Sequence, residues 1–294
     1  MADLNGIIVI NKPKGYTSHD AVNIVRRILG TRKVGHTGTL DPNAEGVLPI
    51  CVGKATKACD MITFSDKEYV AGIRLGIATD TYDIWGEVLK TDDTNVSEDV
   101  INEILKEFTG EQLQIPPMYS AIKQNGKKLY ELARNGIEVE REPRKITIYE
   151  SELLDFKGKD FSLRVLCSKG TYIRSLCNDI GEKLGCGACM TSLLRTKSSV
   201  FTLEEAVTFD ELEKLVKDNG PEKILGCVDR IFEDLPILKV NDIVRARLLN
   251  GAYSRINMPS GMYRVYDSSD SFVGVASVIA GEKGQVIKID KAFV

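Results

Sequence analysis

The eight residues "GHTGTLDP", Gly35 to Pro42, set a single carboxylate, Asp41, between permissive glycines and a proline. Glycine allows tight backbone turns, and proline fixes the chain directly after the acid. Such a loop can aim a carboxylate into a cleft. An Asp before Pro can equally cap a turn, and the loop alone does not separate the two. Two other stretches carry matching chemistry. "SKGTYIRSL" places Tyr172 and Arg174 at an expected strand-to-helix junction, where a guanidinium can pair with a carboxylate. "KEYVAGIRLG" places Tyr69 in an expected strand, where its ring can stack on a flat ligand. One carboxylate, one arginine and two tyrosines suit an uncharged, ring-shaped substrate.

Other chemistries lack their parts. "GVLPICVGKAT" has a Gly-Lys after a strand, yet Gly46 and Gly53 are too far apart for a phosphate loop and Ala55 follows the lysine. No G-x-G-x-x-G opens a helix. The only histidines are His19 and His36, and no G-x-S-x-G elbow is present. The seven cysteines form an odd, scattered set, which speaks for reduced thiols rather than a disulfide framework. Cys186 and Cys189 make a C-x-x-C without a second ligand pair nearby, so buried small thiols are the expectation there. Neither a metal nor a cofactor is expected.

The elements that must position these residues follow from periodicity and punctuation. "GIIVINKP" reads as a buried strand stopped by Pro13, and "TSHDAVNIVRRILG" as a helix capped at Thr17 or Ser18 and stopped by Gly30. "GVLPICVG" and "KEYVAGIRLG" read as strands, with a helical "KATKACDMITF" between them. "SEDVINEILKEFTG" is expected as a helix capped at Ser97 and ended by Gly110. "KITIYESELLDF" and "DFSLRVLCSKG" read as strands, "TYIRSLCNDIGEKLG" as a helix, and "TLEEAVTFDELEKLVKD" as an acidic helical stretch. Strands mixed with helices, without regular βαβ alternation, point to an α+β body with a mixed sheet. A boundary is expected near Leu235–Pro236, where short β-rich segments take over.

The 294 residues allow one large domain and a small one, and no apolar run approaches a membrane span. The first residues, with an acid at Asp3, lack the basic start and cleavage site of a secretory signal, so a cytoplasmic address is the expectation. Net charge is −3, but its distribution is uneven. Residues 1–60, 117–200 and 237–294 are net positive, while 61–116 and 201–236 are acidic. A polyanion needs a local basic surface, not a basic total. The stretch 123–145 is basic and bears tyrosine, which suits nucleic acid and has no use in a small-substrate enzyme.

"GHTGTLDPNAEGVLPICVGKATK" closely resembles the catalytic motif of the bacterial tRNA pseudouridine-55 synthases. "NKPKGYTSHDAV", "KEYVAGIRLGIATDTYDIWG", "IPPMYSAIKQNGKKLYELARNGI" and "SKGTYIRSLCNDIGEKLG" resemble that family's other segments in the same order, from about Gly6 to Lys197. The same loop occurs in the catalytic subunit of the RNA-guided box H/ACA particles, which carries long extra segments absent here. The resemblance implies a catalytic domain over residues 1–235 with a mixed, largely antiparallel sheet, and an RNA-clasping loop within 115–150. Residues 236–294 weakly resemble the small β-rich RNA-binding domain called PUA.

The implied reaction isomerises uridine 55 in the T-loop of tRNA to pseudouridine: the N–C glycosidic bond breaks, the base turns, and it rejoins the sugar through C5. It needs neither metal nor cofactor. Asp41 is the implied essential carboxylate; whether it attacks the base, attacks the sugar or removes a sugar proton stays open. By the same resemblance Arg174 orients Asp41, Tyr69 stacks on the base and is a candidate acceptor for the C5 proton, Tyr172 lines the pocket and Leu194 closes it from below. His36 would fill the space left by the extruded base. Lys12, Lys14, Lys123, Lys127 and Lys128 would contact phosphates. The implied partner is the tRNA T stem-loop, with no membrane and no obligate protein partner, and the chain acting as a monomer. The rivals are an RNA-folding chaperone and a hydrolase that frees a base from a nucleoside.

Overall fold

The computed structural model describes residues 4–282 and 284–294; Asp3 lies outside them. Strand β1 (Gly6–Lys12) pairs antiparallel with β3 (Glu45–Val52), and the short β2 (Val34–His36) pairs with β3 as well. Both faces of β1 and β3 are covered. Ile8, Ile10, Leu48 and Ile50 enter one hydrophobic core, while Ile7, Val9, Val47 and Cys51 enter another. That double burial is why these segments read as unbroken apolar runs. Helix α1 (Ser18–Leu29) lies between β1 and β2, and its buried Ala21, Val22, Val25 and Leu29 share one face. Thr17 caps it in a reciprocal box with Asp20, and Gly30 closes it in a left-handed turn.

After β3 the expected helix over "KATKACDMITF" splits into a 3₁₀ turn, 53–58, and a single-turn α2 (Cys59–Thr63). Strand β4 (Lys67–Leu75) alternates buried and half-exposed side chains, so one face meets the core. A small hairpin follows, β5 (Ile77–Thr79) and β6 (Val88–Thr91), and then α3 (Glu98–Glu107). Ser97 stands at the N-cap of α3 without a capping side-chain bond, and the helix ends at Phe108, before Gly110. Strand β7 (Gly110–Gln114) leads into two-residue strands β8 (Lys123–Gln124) and β9 (Lys127–Lys128) and the short α4 (Leu129–Ala133). The long β10 (Arg144–Lys157) and β11 (Asp160–Cys167) then pair with each other, and α5 (Ile173–Lys183) follows.

The strand that joins the two halves of the sheet is β12 (Ala188–Ser198), which the sequence pattern does not announce. It runs antiparallel to β4 and parallel to β3, giving the order β1-β3-β12-β4-β11-β10-β7. Short β13 (Phe201–Thr202) pairs back on β12. The sheet is mixed and largely antiparallel, as expected. The acidic stretch is not one helix. A 3₁₀ turn at 203–205 is followed by α6 (Phe209–Asn219), because Val207 bonds to the β1 backbone and Thr208 opens a new capping box with Glu211.

Beyond residue 236 a five-stranded sheet forms a β-rich domain: β14 (Ile237–Lys239), β15 (Ser254–Arg255), β16 (Gly261–Tyr266), β17 (Phe272–Gly281) and β18 (Gly284–Ala292), with α7 (Asp242–Leu249). Phe232, Val275 and Phe293 pack with Ile7 and Val9, so this sheet shares a core with the outer face of β1. No helix of the described residues is long and apolar enough to cross a membrane. Cys186, in the turn after α5, and Cys189, near the start of β12, are both buried.

Helix α5 sits so close to β12 that a Cβ on Gly181 would collide with the Ala188 backbone nitrogen. Gly181→Ala is therefore expected to destabilise the fold by about 1–3 kcal/mol in urea unfolding. Lys67 is buried and donates to the carbonyls of Ile62, Thr63 and Ser65, and burial lowers its pKa from 10.5 to about 8. Between those values the unfolded chain binds more protons than the folded one, so this residue's contribution to stability rises with pH. The stability of the wild type relative to Lys67→Met should accordingly increase from pH 8 to pH 10.5.

Candidate active site

The Asp41 loop is pinned from three sides. Ser18, at the start of α1 and buried, accepts from the Leu40 N–H at 2.8 Å and donates to the Leu40 carbonyl at 3.2 Å. Thr37 donates its N–H and its hydroxyl to the Pro49 carbonyl on β3, each at 3.2 Å. The Arg195 side chain, buried on β12, donates to the Val47 carbonyl at 2.7 Å and to the Gly38 carbonyl at 3.4 Å. Gly38 takes a φ of +107°, a conformation that side-chain-bearing residues avoid. These bonds fix the backbone of the loop on either side of the acid.

Lys12 completes the pinning, and this corrects the expectation that it meets phosphates. It is fully buried, and its ammonium donates to the carbonyls of Pro13, Tyr16 and Pro42 at 2.9, 2.7 and 3.3 Å. Burial lowers its pKa to about 8. A cation spent on three internal carbonyls is not free for a polyanion. Lys14, by contrast, is exposed and pairs with Glu45 at 3.2 Å.

Arg174, on the first turn of α5, is buried to 6% exposure, and its Nε lies 2.9 Å from Oδ2 of Asp41. The rest of the guanidinium is satisfied by the Thr81 carbonyl at 3.1 Å and the Tyr119 carbonyl at 2.7 Å. The Asp83 carboxylate stands 3.9 Å away, held by bonds from the Thr81 hydroxyl and the Trp85 N–H. Burial pushes the Asp83 carboxyl above its ordinary pKa. Asp41 itself is 43% exposed, so its carboxylate is anchored at one oxygen yet open to a ligand.

Tyr69 is buried on β4, and both it and Tyr172 feel the charge of Asp41. Burial raises both phenols above the ordinary value. The Arg195 guanidinium stands beside the Tyr69 hydroxyl and opposes that rise. In the β4–β12 register Arg195 faces Tyr69, Leu193 faces Ala71 and Leu194 faces Val70. Directly opposed residues share a face and successive ones alternate. Leu193, not Leu194, therefore lies on the Tyr69 face, where it is buried in the same core. The expectation for Leu194 is off by one residue, the smallest error that turns a side chain to the other face of a sheet.

His36 ends β2, on a groove of about 600 Å³ that also takes in His19, Arg26, Arg32 and Lys33. Burial, and secondarily the charge of Arg195, lowers its pKa. Lys123, Lys127 and Lys128 lie on the β8–β9 hairpin around the Asn125–Gly126 turn. Lys123 and Lys127 are exposed; Lys128 and Arg134 lie over the Tyr130 ring, each 5.4 Å from its centre. Sequence reasoning missed Ser18 as a loop anchor, Asp83, Arg195 and the cations beside His36. Arg195 alone carried a signal, as an arginine directly after the leucine pair of "SLLRT".

The described residues thus join a half-open carboxylate, a buried arginine and two tyrosines, next to basic surface. The TruB family pseudouridylate synthase (N terminal domain) matches residues 26–173, and the tRNA pseudouridylate synthase B C-terminal domain matches 174–234. The chain is 51% identical over 248 residues to tRNA pseudouridine synthase B of Alkaliphilus oremlandii, covering 84% of this chain and 82% of that protein. It is 46% identical over 301 residues to tRNA pseudouridine synthase B of Clostridium perfringens, covering 99% of each. Among solved structures, an H/ACA RNP bound to a substrate RNA containing 2'-deoxyuridine matches with a TM-score of 0.73 and 28% identity, over 98% of this chain and 85% of that one. The chain belongs to the TruB family of tRNA pseudouridine synthases, isomerases that modify uridine in tRNA.

Proposed function

We propose that the chain converts uridine 55 in the T-loop of tRNA to pseudouridine, with Asp41 as the essential carboxylate acting on an extruded base. The observation that carries this reading is the Arg174–Asp41 pair: a buried guanidinium holds one carboxylate oxygen at 2.9 Å while the acid stays 43% exposed. Tyr69 stacks on the uracil ring. Its phenol is neutral at rest because burial holds its pKa up, and Arg195 at the hydroxyl would stabilise the phenolate formed if Tyr69 takes the C5 proton. Tyr172 lines the pocket, and Leu193 packs the Tyr69 face. His36, kept neutral by burial, fills the space that the base vacates. The reaction needs no metal or cofactor.

Lys14, Lys123, Lys127 and Lys128 meet phosphates of the T stem-loop, with 115–150 as the clasp. Residues 1–235 form the catalytic domain, and 236–294, a PUA-like unit, extend the RNA surface. The protein works as a monomer in the cytoplasm without an obligate protein partner.

Tritium release from tRNA labelled at uridine C5 tests the reaction and its site together. Asp41→Asn should lower the single-turnover rate by about 10⁴-fold or more, and tRNA lacking uridine 55 should release nothing. Retained release in either case contradicts the proposal. Arg174→Lys keeps the charge but loses the fork, and should slow release by roughly 10²-fold with tRNA affinity nearly unchanged. Changing Lys123, Lys127 and Lys128 together to Gln should instead weaken tRNA binding. The slope of log affinity against log salt should become shallower by roughly 0.7–0.9 for each phosphate contact removed. An unchanged slope would remove the hairpin from the RNA interface.

A further inference from the structure

Helix α5 begins without a cap of its own: Tyr172 holds the N-cap position, yet its side chain makes no capping bond. A helix start leaves N–H groups that must be satisfied from elsewhere. Here the partner is Gln114, 58 residues earlier at the end of β7 and only 4% exposed. Its Oε1 accepts from the Tyr172 N–H at 2.8 Å, and its Nε2 donates to the Tyr172 carbonyl at 3.1 Å. One carboxamide thus reads both polar groups of a single residue's backbone. The residues that follow continue the grip. The Ile115 carbonyl accepts from the Ser175 hydroxyl at 2.9 Å, and the Tyr119 carbonyl accepts from Arg174 at 2.7 Å. The buried Pro116 and Pro117 lie between these contacts, and proline has little backbone freedom to lose.

We infer that Gln114 is a positioning residue for the reaction. Its carboxamide fixes the Tyr172 backbone and, through it, the placement of Tyr172 and Arg174 against Asp41. This rests on the reading of those three residues as the active site. The chemistry of the side chain is specific, because at neutral pH a carboxamide offers a donor and an acceptor side by side where an ionised carboxylate offers acceptors alone. A carboxylate at the same place would face the Tyr172 carbonyl with a second acceptor. A carboxylic acid, being protonated, would restore the donor.

That difference supplies a test that a merely space-filling role would not pass. Single-turnover release from C5-tritiated tRNA, with the full chain at saturating enzyme, is followed from pH 8.5 to 5.5 for the wild type, Gln114→Glu, Gln114→Leu and Asp41→Asn. At pH 8, Gln114→Glu should be slowed about tenfold or more, with its Kd for tRNA within about threefold of the wild type. As pH falls and the glutamate takes up a proton, its rate relative to the wild type should rise several-fold, while Gln114→Leu stays slow throughout. The Glu variant at low pH is its own folding control, so a Leu variant that fails to fold does not blunt the test. A Glu-to-wild-type ratio that is flat with pH, or a loss confined to Kd, overturns the inference. If Asp41→Asn is inactive while both Gln114 variants run at the wild-type rate, only the role of Gln114 falls. If Asp41→Asn is active, the reading of the site falls instead.

Discussion

A guanidinium taken out of water is costly unless every donor finds an acceptor, and Arg174 is such a group. Its neighbours come from three separate segments: Asp41 from the loop before β3, Thr81 and Asp83 from the turn between β5 and β6, and Tyr119 from the stretch after β7. None of these segments has a strong periodic pattern of its own. They meet because the first turn of α5 presents a charge that water cannot reach. The resulting ion pair orients the carboxylate, and it also decides which loops close around the site.

A second buried arginine does comparable work from behind. Arg195 reaches across from β12 to the carbonyls of Val47 and Gly38, and its guanidinium stands beside Tyr69. With Lys12 on the Pro42 carbonyl, two buried cations hold the loop by its backbone. Donors spent on backbone carbonyls leave the Asp41 carboxylate free on its outer side. Rigid support at the back and exposure at the front is the arrangement that a reaction on an incoming ring requires. The phenol of Tyr69 gains from the same cation, since burial alone would make its ionised form harder to reach.

Charge is divided between these interior cations and outer ones. Those inside settle geometry; the exposed Lys123, Lys127 and Lys14 and the basic groove beside His36 face outward, where a polyanion can be met. A chain with a net charge of −3 can serve an RNA-modifying family because the positive groups are gathered rather than numerous.

Much of this was legible in the residue order. β1, α1, β3, β4, β11 and α5 follow from apolar runs, alternation, caps and glycine stops, which are local properties. The Asp41 loop and the expectation of an Arg174 partner follow from residue type, since an acid aimed by Gly and Pro invites a cation. β12 stayed hidden because its pattern is Thr- and Ser-rich with an arginine inside, and only its place between β3 and β4 makes it a strand. Lys12 looked like a surface cation, and only tertiary packing shows it buried under three carbonyls. Residue type does not separate Leu193 from Leu194, because a sheet's period of two makes adjacent leucines face opposite ways and register is set by the neighbouring strand. Local sequence determined which elements form and which side chains can do chemistry. Which of those side chains meet was decided by the fold, because the contacts that satisfy a buried charge join residues far apart in the chain.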